Sequence, residues 1–256
     1  MTLNQAIQIM STQILSILTD NKATIYLYGS AALDDFKPGW SDIDIIVLTA
    51  HEPTDQQANA LVNLRQKMLK QYPDNPYFRL FEGNILSRDA FLNNKTERTV
   101  YWGTSGQRIT DTYNPDSFAT AELIENRILL CGEDILAGQL TYPTHDAFKS
   151  DIRHHCHAIR AYAQITSGEI ISCGWMLDIA RGLYTLKTNK VIAKTAAGEW
   201  AIAEGLASDA DVLKKVLQIR NDPLCYMNDV NTLEWCATLG IHIQAFADVL
   251  EKELKK

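Results

Sequence analysis

Apolar residues in the first half of the chain follow two different spacings. Residues 24–28 and 43–49 are short apolar runs typical of buried strands, and residues 77–86 form a third run that is rich in aromatic side chains. Apolar positions recur at helical intervals in residues 56–69 and again from about Ser117. Shorter strands are predicted at residues 100–102, 107–112 and 127–132. This mixture predicts a small mixed sheet with helices packed against it.

The spacing becomes helical throughout from about Thr144. The predicted helices cover residues 148–165, 175–186, 195–203, 212–219 and 233–254. Proline and threonine within residues 140–144 interrupt both patterns and mark the boundary between them. We therefore predict an α+β chain, with a mixed-sheet domain at residues 1–143 followed by an α-helical bundle domain at residues 144–256.

Composition narrows the classes of partner. The 256 residues are 46% hydrophobic and 21% charged, as in ordinary globular proteins, and the net charge of −7 argues against a nucleic-acid surface. No apolar run approaches the roughly 18 residues that a membrane helix requires, and the opening segment lacks the basic start of a signal peptide. The five cysteines show no paired spacing. We expect a cytoplasmic protein with neither a membrane nor a nucleic-acid partner.

Two carboxylates open the second predicted strand. Asp42 and Asp44 are one residue apart and precede an apolar run. Residues i and i+2 of a strand point to the same side, so both carboxylates face one surface while Ile43 and Ile45 face the core. Neighbouring carboxylates repel each other unless a cation lies between them, and oxygen ligands suit Mg²⁺. The pair therefore predicts a magnesium site.

A tight bend precedes this pair. The first predicted strand ends in Gly29 and Ser30, whose backbone and hydroxyl groups can hold phosphate oxygens. Such a bend beside a magnesium site is suited to a nucleoside triphosphate. Gly-Ser alone is common in turns and Asp-x-Asp alone also occurs at solvated strand edges, but the ordered combination favours the nucleotide site.

Glu82 is the best candidate for a catalytic base. It is the only acid within the third predicted strand, just before Gly83. A carboxylate at such a position must be paired, metal-bound or functional, because burying it alone costs several kcal/mol. The alternative is a half-exposed position where Glu82 pairs with Arg79. We predict that Glu82 is both the base and a third metal ligand.

This arrangement resembles the active site of the nucleotidyltransferase superfamily, which shares a Gly-Ser turn followed by Asp-x-Asp. Over nearly its whole length, the chain is similar to the aminoglycoside adenylyltransferases that modify streptomycin and spectinomycin. The resemblance extends to residues 180–186 (ARGLYTL) and residues 199–201 (EWA) in the second half. It implies a nucleotidyltransferase domain joined to a helical bundle, with ATP and the antibiotic bound in the cleft between them.

The resemblance also implies roles for residues that spacing alone does not select. Ser41, Arg181 and Lys194 stand where the family binds the nucleotide, the last two as an arginine–lysine pair on the phosphates. Taken by themselves, Arg181 can equally be a charge on a helix surface and Lys194 a loop lysine.

For the antibiotic, the resemblance implies a tryptophan and acidic side chains. Trp102 matches the tryptophan of enzymes that accept streptomycin, although a core position suits it equally well. The acidic cluster upstream of Arg181 is thin, because only Glu169 is charged there and Asp178 lies within the next helix. Spectinomycin carries less charge than streptomycin, so we favour spectinomycin.

The resulting prediction is a monomeric, Mg²⁺-dependent enzyme that transfers AMP from ATP to an aminoglycoside hydroxyl and so confers antibiotic resistance. One alternative is the same reaction on another acceptor, such as a lincosamide or a protein hydroxyl. A second alternative is a non-catalytic nucleotide-binding module, against which the third acid Glu82 argues.

Overall fold

The computed structural model describes residues 1–103 and 105–256, which divide into two compact units. The first unit comprises Met1–Asp34 and Asp42–Tyr142. The second comprises Pro143–Lys256 together with the short segment Asp35–Ser41. The inclusion of this segment in the second unit is a feature that the sequence pattern did not predict.

A six-stranded sheet forms the centre of the first unit. Its strands are β1 (Thr24–Tyr28), β2 (Ile43–Thr49), β3 (Phe81–Ser87), β4 (Thr99–Gly103), β5 (Gly106–Thr110) and β6 (Ile128–Cys131). The spatial order is β5-β4-β3-β2-β1-β6. Only the β2–β3 pair is parallel, and the other four neighbouring pairs are antiparallel. The predicted mixed sheet is confirmed.

Helices cover both faces of this sheet. They are α1 (Leu3–Ile17), α2 (Gly29–Ala32), α3 (Asp55–Gln71), α4 (Arg88–Asn93) and α5 (Ser117–Glu125). Helices α1 and α3 each begin with a capping box, in which a threonine and the glutamine three residues later satisfy each other's backbone N–H groups. Helices α4 and α5 pack on one face through Phe91 and Leu123, against Ile46, Leu48 and Leu86 of the strands.

The second unit is helical, as predicted. Its helices are α6 (His145–Tyr162), α7 (Gly174–Thr188), α8 (Lys194–Ala203), α9 (Ala210–Asn221), α10 (Pro223–Tyr226), α11 (Val230–Cys236) and α12 (Gly240–Leu254). The central helix α7 packs against α6, α8 and α12, and α9 packs against α8. Among the described residues, no helix is both long enough and apolar enough to cross a bilayer.

Several predicted elements differ in their bounds from the structure, and three of them are informative. The third strand begins at Phe81, because residues Phe78–Leu80 form a 3₁₀ turn. The strand predicted at 107–112 is β5, which ends at Thr110. The single helix predicted over residues 233–254 is two helices, α11 and α12. A Cβ atom at Gly240 would overlap the carbonyl oxygen of Gln164, so this close backbone approach requires glycine at the first residue of α12.

Two of the five free cysteines lie side by side despite their separation in sequence. The sulfur atoms of Cys173 and Cys236 are 3.8 Å apart in the interior of the second unit. Their 63-residue separation explains why no spacing pattern paired them.

Candidate active site

Asp44 and Glu82 lie side by side on one face of the sheet. They are register partners in the parallel β2–β3 pair, and partners in adjacent strands point to the same face. Both strands have the same burial pattern, in which the second residue is half-buried and the other six are buried. That half-buried residue is Asp44 in β2 and Glu82 in β3. The two acids are therefore the only positions of these strands that open toward solvent.

Gly29 allows the first bend to approach the Asp44 carboxylate. Its backbone has φ of +67°, and a Cβ atom at this position would overlap the Asp44 carboxylate. The hydroxyl of Ser30 lies 3.5 Å from the carbonyl oxygen of Asp42, to which it donates. The Gly-Ser bend, the Asp44 carboxylate and the Asp42 backbone thus meet at the junction of β1, α2 and β2.

A Gly29→Ala substitution is expected to lower the free energy of unfolding. The loss should exceed the cost of placing a non-glycine residue in the left-handed backbone conformation. A non-glycine residue in that conformation costs roughly 1–2 kcal/mol. At Gly29 the new methyl group also displaces Asp44, which adds to that cost. Gly138→Ala is the matched control, because Gly138 has φ of +68° but open space around its Cβ position. Urea unfolding of both variants measures the difference, and equal losses would mean that the Asp44 contact is unimportant.

The side chains of Tyr28 and Tyr113 lie near Asp44, and both are uncharged. Burial raises the pKa of Tyr28 well above its ordinary value, and the neighbouring Tyr113 and Asp44 add to that rise. Burial likewise raises the pKa of Tyr113 to about 12. Both phenols therefore stay neutral at physiological pH and leave the carboxylates as the charged groups here.

The carboxylates do not form a complete metal cage by themselves. Across the described parts of the chain, no group of three or more His, Cys, Asp or Glu side chains is placed to hold a metal ion. The prediction that Asp42, Asp44 and Glu82 together form a three-ligand set is corrected to that extent. In nucleotide enzymes, however, Mg²⁺ is usually held by one or two carboxylates with phosphate oxygens and water. Asp42 and Asp44 fit a site of that kind, because both supply carboxylate oxygens and the Asp44 carboxylate lies against the bend.

Trp102 is not available to a substrate. It is in register with Gly83, the residue after Glu82, so its side chain points to the opposite face of the sheet from Glu82. It is 1% exposed, and its indole N–H donates to the carbonyl oxygen of Leu61 at 3.0 Å. The prediction that Trp102 binds substrate is therefore wrong, and the residue belongs to the core between β4 and α3.

In the second unit, Lys194 and Asp178 form an ion pair with 2.7 Å between Nζ and Oδ1. His155 is a second neighbour, with its Nε2 atom 3.5 Å from Oδ2 of Asp178. Burial alone would raise the pKa of Asp178, but Lys194 and His155 outweigh it and the pKa lies well below its ordinary value. Arg181, one helical turn after Asp178, acts in the same direction. Asp178 is therefore ionised and already partnered.

The other two predicted residues of this unit differ in their surroundings. Ser41 is buried, and its hydroxyl accepts a hydrogen bond from the backbone N–H of Lys37 at 3.0 Å, which closes the turn before Asp42. Glu169 is exposed at the start of the 3₁₀ turn before α7. Ser41 thus has a structural bond in place, whereas the Glu169 side chain faces solvent.

Arg65 is a charged residue near Glu82 that the sequence analysis did not select. It is buried on α3, and the carboxylates of Glu82 and Asp42 both act on it electrostatically. A signal was present in the sequence, because Arg65 falls on the apolar stripe that Leu61, Leu64 and Met68 define. A basic residue on the buried side of a helix calls for an acidic or carbonyl partner.

Two domain families match the chain. Residues 8–100 match the family described as nucleotidyltransferase domain, and residues 146–229 match the family described as aminoglycoside adenylyltransferase, C-terminal domain. Among solved structures, the spectinomycin adenyltransferase AAD(9) from Enterococcus faecialis, crystallised with ATP and spectinomycin, is similar with a TM-score of 0.65. It is 17% identical, and the alignment covers 96% of this chain and 99% of that one. No curated protein sequence gives a significant match. The predicted nucleotidyltransferase fold with a C-terminal helical region is confirmed.

Proposed function

We propose, from the premise that this chain belongs to the aminoglycoside adenylyltransferase family and is a nucleotidyltransferase, that it transfers AMP from ATP to an aminoglycoside hydroxyl. The acceptor that we favour is spectinomycin, and the biological result would be antibiotic resistance. One observation carries this proposal: Asp44 and Glu82 are adjacent, half-buried partners on two parallel strands, and the Asp44 carboxylate rests on the Gly29 bend.

The reaction gives each group a role. The acceptor oxygen attacks the α-phosphorus of ATP, the bond from that phosphorus to the bridging oxygen breaks, and pyrophosphate leaves. Glu82 accepts the proton of the attacking hydroxyl, which is general base catalysis. Asp42 and Asp44 would hold Mg²⁺, which supplies charge compensation on the phosphate oxygens. The bend at Gly29 and Ser30 positions the phosphates.

We also propose roles for the other residues that the resemblance assigns to nucleotide binding. Arg181 and Lys194 would supply positive charge for the triphosphate. Ser41 contributes by holding the turn that leads into Asp42, rather than through a free hydroxyl.

Charge near α7 supports spectinomycin over streptomycin. A guanidinylated acceptor needs several available carboxylates. Asp178 is already neutralised by Lys194, which leaves Glu169 as the exposed acid before α7. The structurally similar AAD(9) was solved with spectinomycin bound. Both observations suit a smaller acceptor with fewer positive charges.

The same scarcity of acid favours a second candidate, namely the same transfer to a lincosamide or to a protein hydroxyl. The chemistry at Asp42, Asp44 and Glu82 is unchanged in this case, and only the acceptor differs. A non-catalytic nucleotide-binding module is disfavoured, because nucleotide binding alone does not require Glu82. We further propose that the protein acts in the cytoplasm, where ATP is supplied, and that it acts as a monomer.

The test is release of pyrophosphate by purified protein with ATP and Mg²⁺, in the presence of spectinomycin, streptomycin, a lincosamide or no acceptor. We expect release that depends on spectinomycin and a mass increase of the antibiotic by one AMP group. Release with the lincosamide alone would select the second candidate. Binding of ATP without release for any acceptor would overturn the enzymatic proposal.

A further inference from the structure

Arg65 is buried in a position where its charge must be compensated. It is 8% exposed on α3, among the leucine and methionine side chains that pack this helix onto the sheet. Its Nη1 atom donates to the carbonyl oxygen of Phe81 at 2.9 Å, and its Nη2 atom donates to that of Gly103 at 3.1 Å. A buried guanidinium without partners is strongly unfavourable, so these bonds account for its presence.

The two carbonyl groups belong to residues near Glu82, one in the same strand and one in the neighbouring strand. Phe81 directly precedes Glu82 at the start of β3, and Gly103 follows Trp102, the register partner of Gly83, at the end of β4. Arg65 therefore ties together the ends of the two strands next to Glu82. Its charge is also within electrostatic range of the Glu82 and Asp42 carboxylates.

We propose that Arg65 is a positioning residue for AMP transfer, which holds the backbone at Glu82 through the Phe81 and Gly103 carbonyl groups and offsets the negative charge of Glu82 and Asp42. This role rests on the function proposed above. The planar guanidinium suits it, because its fork reaches two carbonyl oxygens at once, whereas the lysine ammonium is a point charge on a flexible chain. Charge and geometry can therefore be separated by substitution.

Arg65→Lys keeps the charge but loses the fork, and Arg65→Gln loses both. Residues that orient the ligands of a metal site typically contribute roughly 10- to 100-fold to affinity or activity. By analogy, we expect kcat to fall by that factor in both variants while KM for ATP changes little. Mn²⁺ binding to the nucleotide-free protein supplies a measurement that does not depend on activity. Removing a positive charge near Glu82 and Asp42 should tighten Mn²⁺ binding about threefold or more in Arg65→Gln but not in Arg65→Lys.

Lys67→Gln is the matched control, because Lys67 is exposed on the same helix and the change in net charge is identical. Mn²⁺ affinity in Arg65→Gln equal to that of Lys67→Gln would overturn the charge-offsetting role. Wild-type kcat in Arg65→Lys would overturn the role of Arg65 in holding the backbone at Glu82. If Arg65→Gln does not fold, the proposal is judged on Arg65→Lys alone. If wild-type protein shows no acceptor-dependent turnover, the proposed function fails, while the Mn²⁺ comparison still judges the charge of Arg65 separately.

Discussion

Glu82→Gln is expected to lower acceptor-dependent AMP transfer by roughly 10²- to 10⁴-fold, which is the usual contribution of a positioned general base. The substitution keeps the size and shape of the side chain but removes its ability to take a proton. Glu82 is half-buried at the open end of β3, so the amide can remain solvated and the fold should be unaffected. The measurement is kcat with saturating spectinomycin and ATP, together with ATP affinity, which we expect to stay within a few-fold of wild type.

Glu125→Gln is the appropriate control, because Glu125 is an exposed acid at the end of α5 and its replacement changes net charge equally. Wild-type turnover is expected for that protein. Wild-type turnover in Glu82→Gln would instead mean that another group removes the proton. A parallel loss of ATP binding and turnover would assign Glu82 to the metal and nucleotide rather than to the base.

Local pattern was sufficient to predict the strands that carry this site. The predicted bounds of β1 and β2 agree with the structure, because apolar runs flanked by polar residues leave few alternatives for a short buried strand. The alternation rule also places Asp44 and Ile43 on opposite faces of β2, as their burial reflects. Glu82 was identifiable because an acid within an apolar strand requires an explanation.

Interactions between distant segments were beyond such reasoning. Trp102 lies on the opposite face from Glu82 because of the β3–β4 register, and one residue of register reverses the face of every side chain in a strand. Gly240, the first residue of α12, packs closely against the backbone of Gln164, far away in sequence. Neither is encoded in the local periodicity.

The segment Asp35–Ser41 is the largest departure from the sequence-based description, because its partners are more than a hundred residues away. Asp35 accepts hydrogen bonds from Thr195 and from Arg220, at separations of 160 and 185 residues. A charged residue in a loop normally indicates solvent exposure, and nothing in its local sequence indicates otherwise. Only the structure shows that Asp35 and Arg220 are both buried.

Breaking the ion pair between Arg220 and Asp35 is expected to destabilise the second unit by about 3–5 kcal/mol, the usual cost of leaving one buried charge without its partner. Arg220 is 2% exposed, and its Nη2 atom lies 2.7 Å from Oδ2 of Asp35. Its Nε atom donates to the Thr195 hydroxyl at 3.0 Å, and that hydroxyl donates to Oδ1 of Asp35 at 2.6 Å. Arg220→Met and Asp35→Asn should each show the loss in urea unfolding followed by circular dichroism.

A double-mutant cycle separates this interaction from general damage to the fold. The double variant should be less destabilised than the sum of the single variants, because it leaves no unpaired charge. Lys214→Gln is the control on the same helix, since Lys214 and Asp211 form a pair whose side chains are 61% and 91% exposed. Such surface pairs contribute only about 0–1 kcal/mol. Additive losses in the cycle would contradict a direct coupling.

The pH dependence of stability provides an independent test of the Asp35–Arg220 ion pair. Burial alone would raise the pKa of Asp35, but hydrogen bonds from Arg220 and Thr195 outweigh it, so the pKa lies below its ordinary value. A carboxylate whose pKa is lowered by folding contributes stability that is complete above its unfolded pKa of about 3.9 and is lost as the pH falls through the folded pKa. The difference in urea midpoint between wild type and Asp35→Asn should therefore be constant from neutral pH down to about pH 5 and shrink below about pH 4. A difference that grew on acidification would mean that Asp35 is protonated in the folded protein and that Arg220 does not hold its charge.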